Sequence, residues 1–181
     1  MSAHRFARVI AVAVAAAALS GSTAVHATAA ADTRAATARQ ILRTSGISLA
    51  VAHQGGTHAG STAKANITDT AGGKGALTSP WGHKPNRRVA LDPGMLNGLL
   101  KLNTQYKYRI AVSEIVGGKH SATSRHYAGK AFDISHINGK HVGSGAPHKA
   151  LMAACRKLGA TEVLGPGNAG HSRHVHCAWP R

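Results

Sequence analysis

The chain has 181 residues and a formal net charge of +16, with 22 Lys and Arg set against six acids. A pI near 11.0 draws such a protein to polyanions, whether cell-wall polymers, anionic lipid surfaces or nucleic acid. Specific nucleic-acid recognition is not expected, because no zinc-finger, RNP-like or heptad pattern occurs and Phe, Trp and Tyr make up only 4% of the chain, too few rings for base stacking.

Residues 1–31 read as a secretory signal peptide. Arg5 and Arg8 precede the uncharged apolar stretch Val9 to Leu19, and small residues follow, placing cleavage between Ala27 and Ala31. The stretch is too short and too alanine-rich for a membrane span. A secreted, cell-wall-associated monomer is expected, and the roughly 150 residues that remain suit one domain with one modest core. Residues 32–88 predict an N-terminal helix over Thr33 to Thr44, a weak strand over Ile47 to Ala52, and then an irregular glycine-rich arm.

Residues 89–181 hold the expected catalytic domain. Asp92 and Pro93 open a helix through Leu102 as N-cap and first-turn proline. Arg109 to Ile115 reads as a buried strand ended by Gly117 and Gly118, and Ala131 to Ile137 as a second strand. Asn138–Gly139 turns that strand into Lys140 to Val142. A helix from Pro147 to Leu158, a strand over Thr161 to Leu164 and a last strand over His174 to Trp179 complete the order. Strands joined by hairpins and flanked by separate helices predict an α+β domain with an antiparallel sheet. Export permits a disulfide between Cys155 and Cys177, the two cysteines. The competing role for Cys177, as a metal ligand, is disfavoured because strand alternation points it away from the face of His174 and His176.

The chemistry concentrates in two segments, Ser124 to Asp133 and His171 to His176. Asp133 sits in the apolar run Ala131-Phe132-Asp133-Ile134, where a carboxylate needs a compensating partner. That partner is either a divalent cation or an ion pair with Arg125 or Lys130. His126, Asp133 and His176 form a three-ligand zinc set that leaves a fourth position for water, the layout of a hydrolase. His174 shares a strand face with His176 and is then free to move a proton near neutral pH, with His171 at the pocket rim. His120, on the loop before His126, is a further pocket candidate, whereas His53, His58, His83, His136, His141 and His148 read as surface residues among the 13 histidines.

Ser124-x-His126-x-x-Gly129-x-Ala131-x-Asp133, followed by His171-x-x-His174-x-His176, resembles the signature of the D-alanyl-D-alanine metallopeptidases of the Hedgehog/DD-peptidase fold, over roughly Leu91 to Trp179. The second half is similar to the zinc D-Ala-D-Ala carboxypeptidase and murein endopeptidase branches. The resemblance implies Zn2+ on His126, Asp133 and His176, His174 as catalytic base assisted by His171, and cleavage of amide bonds in peptidoglycan stem peptides. Ser124, Arg125 and His120 are the candidate substrate-binding residues. The chain departs from the pattern at Arg173, where many relatives carry an acid, and at Ser113 to Gly118, where relatives often show a Gly-Tyr-Arg-Ser-like stretch. The Arg173 departure keeps open a zinc-containing cell-wall-binding module without turnover. A basic structural or nucleic-acid-binding protein with incidental histidines is the other alternative.

Overall fold

The computed structural model describes residues 21–53 and 56–181. The charged start and apolar run of the expected leader lie outside the described residues.

Strand β5 (Ala131–Ile137) is the centre of the architecture because its two faces differ in chemistry. Phe132 and Ile134 are fully buried on one face, while Asp133 and Ser135 open onto a cavity on the other. Antiparallel to β5 run β4 (Ile110–Glu114), β8 (Val175–Ala178) and β6 (Lys140–His141). The turn into β6 uses Asn138 at φ 53° and Gly139 at φ 80°, the two left-handed residues that a tight hairpin requires. Strand β7 (Glu162–Leu164) adds antiparallel to β8, and β1 (Ile47–Leu49) adds parallel to β4. The six-stranded sheet therefore runs β1-β4-β5-β8-β7, with β6 beside β5, and a separate ribbon pairs β2 (Ala76–Leu77) with β3 (Arg88–Val89). This is the expected α+β architecture with a mostly antiparallel sheet.

Four α-helices occur among the described residues: α1 (Gly21–Arg43), α2 (Ala63–Ala71), α3 (Pro93–Thr104) and α4 (His148–Lys157). Ile41, Ile67, Met95, Leu96, Leu99, Leu102 and Leu151 from these helices bury against Phe132, Ile134 and Val175 of the sheet. Each fully buried side chain of this size contributes about 1.5–3 kcal/mol by leaving water. Helix α3 starts as its sequence dictates, with Asp92 accepting a hydrogen bond from the Met95 amide at 2.9 Å and Pro93 in the first turn. Cys155 of α4 and Cys177 of β8 form a disulfide, so the helix is tied to the sheet face opposite His176.

Several boundaries differ from expectation. Helix α1 extends from Gly21 through the region expected for cleavage, β1 stops at Leu49, and β8 begins at Val175 rather than His174. The largest difference is in the arm expected to be irregular, which contains α2. Thr62 caps that helix by accepting from the Ala65 amide at 3.2 Å, and Ile67 is its one large apolar anchor. One anchor in nine residues is too weak a periodic signal to compete with the surrounding glycines. The arm is also held together, and locked to the segment that follows β4, by polar groups. Asn66 donates to the Leu77 carbonyl and accepts from the Val116 amide, both at 3.0 Å, and Ser79 accepts from the Gly118 amide at 2.8 Å.

Candidate metal centre

His126 is carried by a short 3-10 helix, Arg125–Ala128. Ser124 starts it, its hydroxyl accepting from the His126 amide at 3.3 Å, so this side chain caps the turn that holds the imidazole. Gly129 ends it at φ 69°, where an added Cβ would run into the Ala90 carbonyl oxygen. The His126 ring is buried and its Nδ1–H donates to the Ile115 carbonyl, which leaves the Nε2 lone pair facing inward. Asp133 and His176 stand directly opposite each other on β5 and β8, on the cavity face.

The three side chains converge. His126 Nε2 lies 3.1 Å from His176 Nδ1 and 3.3 Å from Asp133 Oδ1, and His176 Nδ1 lies 2.9 Å from the same oxygen. With metal–ligand bonds of about 2.05 Å, tetrahedral ligand atoms stand about 3.3 Å apart, so the observed triangle is close to the spacing that zinc requires. A triangle of these edges has a circumradius of about 1.8 Å, and a point about 1 Å off its plane is therefore equidistant from all three atoms at the zinc bond length. Two imidazole nitrogens and one carboxylate oxygen are the donor set that this ion takes, so the residues fit the group.

A second set shares two of these members. His120, His126 and Asp133 can offer ligand atoms that lie within 4.8 Å of one another. His120, however, stacks on the His126 ring at 3.7 Å between centroids, and its Nε2–H donates to the Gly117 carbonyl at 2.6 Å. The His176 set is the tighter of the two, and His120 packs as the floor under His126.

The electrostatics follow from crowding. Burial penalises a charge on His126, but the Asp133 carboxylate beside it outweighs that penalty and raises the imidazole pKa. Burial likewise pushes Asp133 upward, yet His126 and His176 more than offset it and hold the carboxyl well below the usual carboxylate range. Burial lowers His120 to about 3 and also lowers His174, so both rings are neutral at pH 7. The alternative ion-pair partners for Asp133 are engaged elsewhere. Lys130 reaches Asp92 and the Pro180 carbonyl, and Arg125 reaches the Thr161 hydroxyl at 2.6 Å and the Trp179 carbonyl at 3.1 Å.

These groups line a cavity of about 880 Å³ that also holds Ser124, Arg125, His120, His171 and His174. His174 is partly exposed, with Nε2 3.9 Å from Asp133 Oδ2. The His171 ring lies 4.9 Å from that of His174 and 5.9 Å from that of His176, with its Nδ1–H donating to the Ala169 carbonyl at 2.7 Å. Arg173, Lys119 and Arg181 line the same space. All the residues singled out in the sequence for this site thus share one cavity, with Ser124 and Arg125 occupied by contacts within the protein.

Sequence reasoning assigned no role to two carboxylates here, Glu114 and Glu162, the only other acids of this region. Glu162 Oε1 accepts from His176 Nε2 at 3.1 Å. Glu114 stands opposite Asp133 at a β-bulge, and its two oxygens lie 2.8 and 3.0 Å from His53 Nδ1, while His53 Nε2 meets the Ser61 hydroxyl at 2.8 Å. His53 is therefore not the surface residue expected, since its side chain is 1% exposed. Burial raises the Glu114 pKa against the pull of His53. The available signal was scarcity: three of the six acids, Glu114, Asp133 and Glu162, line one cavity of a strongly basic chain.

No model of a known protein family matches the chain. A 65-residue stretch is 40% identical to the zinc D-Ala-D-Ala carboxypeptidase of Streptomyces albus G, a match that covers 34% of this chain and 26% of that protein. This partial relationship and the His/Asp cluster together support a metal-binding site of the zinc-peptidase kind.

Proposed function

We propose that this protein is a secreted, zinc-dependent peptidase that hydrolyses amide bonds in peptidoglycan stem peptides, as a DD-carboxypeptidase or endopeptidase. Residues 1–31 serve as its export leader, and residues 89–181 carry the whole ligand set, braced by 32–88. The observation that carries the reading is the triangle of His126 Nε2, Asp133 Oδ1 and His176 Nδ1 at zinc spacing inside a cavity large enough for a peptide. In it, zinc supplies Lewis-acid polarisation of a carbonyl and acidification of water toward neutral pH.

The remaining roles belong to side chains. His174, kept neutral at pH 7 by burial and close to Asp133, accepts a proton at Nε2 and returns it to the departing amine. His171 uses its Nδ1–H to hold to the Ala169 carbonyl, so its Nε2 is free to donate to or accept from substrate at the rim. Lys119, Arg173 and Arg181 give the cavity wall a positive field suited to peptide carboxylates and to anionic cell-wall polymers.

A second reading, a zinc-containing cell-wall-binding protein without turnover, is favoured by Arg173 at the position where an acid would stand. Metal analysis of the purified protein, followed by mass spectrometry of digested peptidoglycan, separates the readings. The peptidase yields one zinc per chain and newly freed amines or D-alanine, and His174→Ala abolishes the products while leaving the zinc in place. One bound zinc with no product from the unmutated protein would establish the binding module instead.

A further inference from the structure

His176 faces the metal-ligand triangle through Nδ1, whereas His126 faces it through Nε2. An imidazole can present a lone pair at one nitrogen only if the proton resides on the other, so each ring needs an acceptor behind it to settle the tautomer. For His126 that acceptor is the Ile115 carbonyl. For His176 it is the carboxylate of Glu162, whose Oε1 lies 3.1 Å from Nε2. The register explains the reach, since Glu162 opposes Ala178 and so lies diagonally across from His176 on the same face.

The carboxylate is itself held. Arg125 Nη2 lies 3.9 Å from Glu162 Oε2, while Nη1 of the same guanidinium is anchored to Thr161 and to the Trp179 carbonyl. Arg125 precedes His126 in the chain, so the turn that supplies one ligand also steadies the carboxylate that orients another. We infer that Glu162 is a positioning residue for the metal centre: it fixes the Nε2–H tautomer of His176 and, through its charge, strengthens Nδ1 as a donor. The inference rests on the zinc reading above and assigns Glu162 no contact with substrate. Glu162 takes no part in the apolar core and its side chain is 42% exposed, so its replacement leaves a folded protein.

The test measures zinc affinity of the full chain by chelator competition and the visible spectrum of the cobalt-substituted protein, for wild type, Glu162→Ala and Glu162→Gln. Asp69→Asn, a charge loss in the remote Arg88 pair, is the control. Glu162→Ala is expected to weaken zinc binding about 10–100-fold and to shift the cobalt bands, the range found when a partner behind a metal-bound histidine is lost. Glu162→Gln, which keeps an acceptor but not the charge, falls between alanine and wild type, and Asp69→Asn matches wild type. Zinc affinity within about twofold of wild type, with unchanged cobalt bands, in both Glu162 variants would overturn the inference. A wild type that binds zinc but releases nothing from peptidoglycan would end the peptidase reading and leave this one standing. A wild type without zinc would end both.

Discussion

The choice between His176 and His120 as the third ligand can be settled by two substitutions. His176→Ala removes a nitrogen that stands 2.9 and 3.1 Å from its companions, already near the tetrahedral edge of about 3.3 Å. His120→Phe keeps a ring stacked on His126 but deletes both nitrogens. His120 is held face to face on His126, with its Nε2–H on the Gly117 carbonyl at 2.6 Å, whereas His176 Nδ1 already stands within the triangle. Full four-ligand zinc sites are worth about 10–16 kcal/mol, or roughly 3–4 kcal/mol per ligand, so losing a true ligand costs on the order of 10²–10³-fold in affinity. Chelator competition followed by isothermal titration should therefore show a loss of that size for His176→Ala and less than about threefold for His120→Phe. The reverse pattern, with His120→Phe losing the metal and His176→Ala retaining it, would refute the geometric argument.

His120 has its pKa lowered to about 3 by burial, so the native protein binds fewer protons here than the unfolded chain between that value and about 6.5. This ring's contribution to stability is thus complete above pH 6.5 and is lost as pH falls. Metal-free wild type should lose about 2.5 kcal/mol more than His120→Phe between pH 7 and 4.5 in denaturant titrations, and equal slopes would contradict the assignment. Gly129→Ala forces a side chain onto a residue at φ 69° and against the Ala90 carbonyl, and should lower both stability, by about 1–3 kcal/mol, and zinc affinity, because the same turn carries His126. Retention of wild-type zinc affinity in a destabilised Gly129→Ala would uncouple the two. Replacing Cys155 and Cys177 together by alanine opens a loop closed over 22 residues and should cost about 3 kcal/mol in denaturant midpoint analysis. An unchanged midpoint would show that the helix–strand packing alone holds α4 in place.

How much of the site was legible follows from how each residue is held. His126, Asp133 and His176 could be read because a period-2 strand pattern and a glycine at the turn determine which way their side chains point. Cys177 was legible for the same reason: alternation sends it to the face opposite His176, toward α4. Glu162 and Glu114 were not, because each meets its histidine across strands or from the arm, 14 and 61 residues away in sequence. Helix α2 was hidden by its single apolar anchor, and His53 by the glycines around it.

Composition, charge and local periodicity were thus sufficient for the α+β class, the strand faces and the polar side chains that the structure gathers in one cavity, since these depend on side-chain chemistry and on backbone periods of 2 and 3.6 residues. Only the tertiary structure decided which acceptor stands behind each imidazole, which cations are already occupied and how the arm docks. Those outcomes depend on register and packing between segments distant in the chain, and no local pattern encodes them.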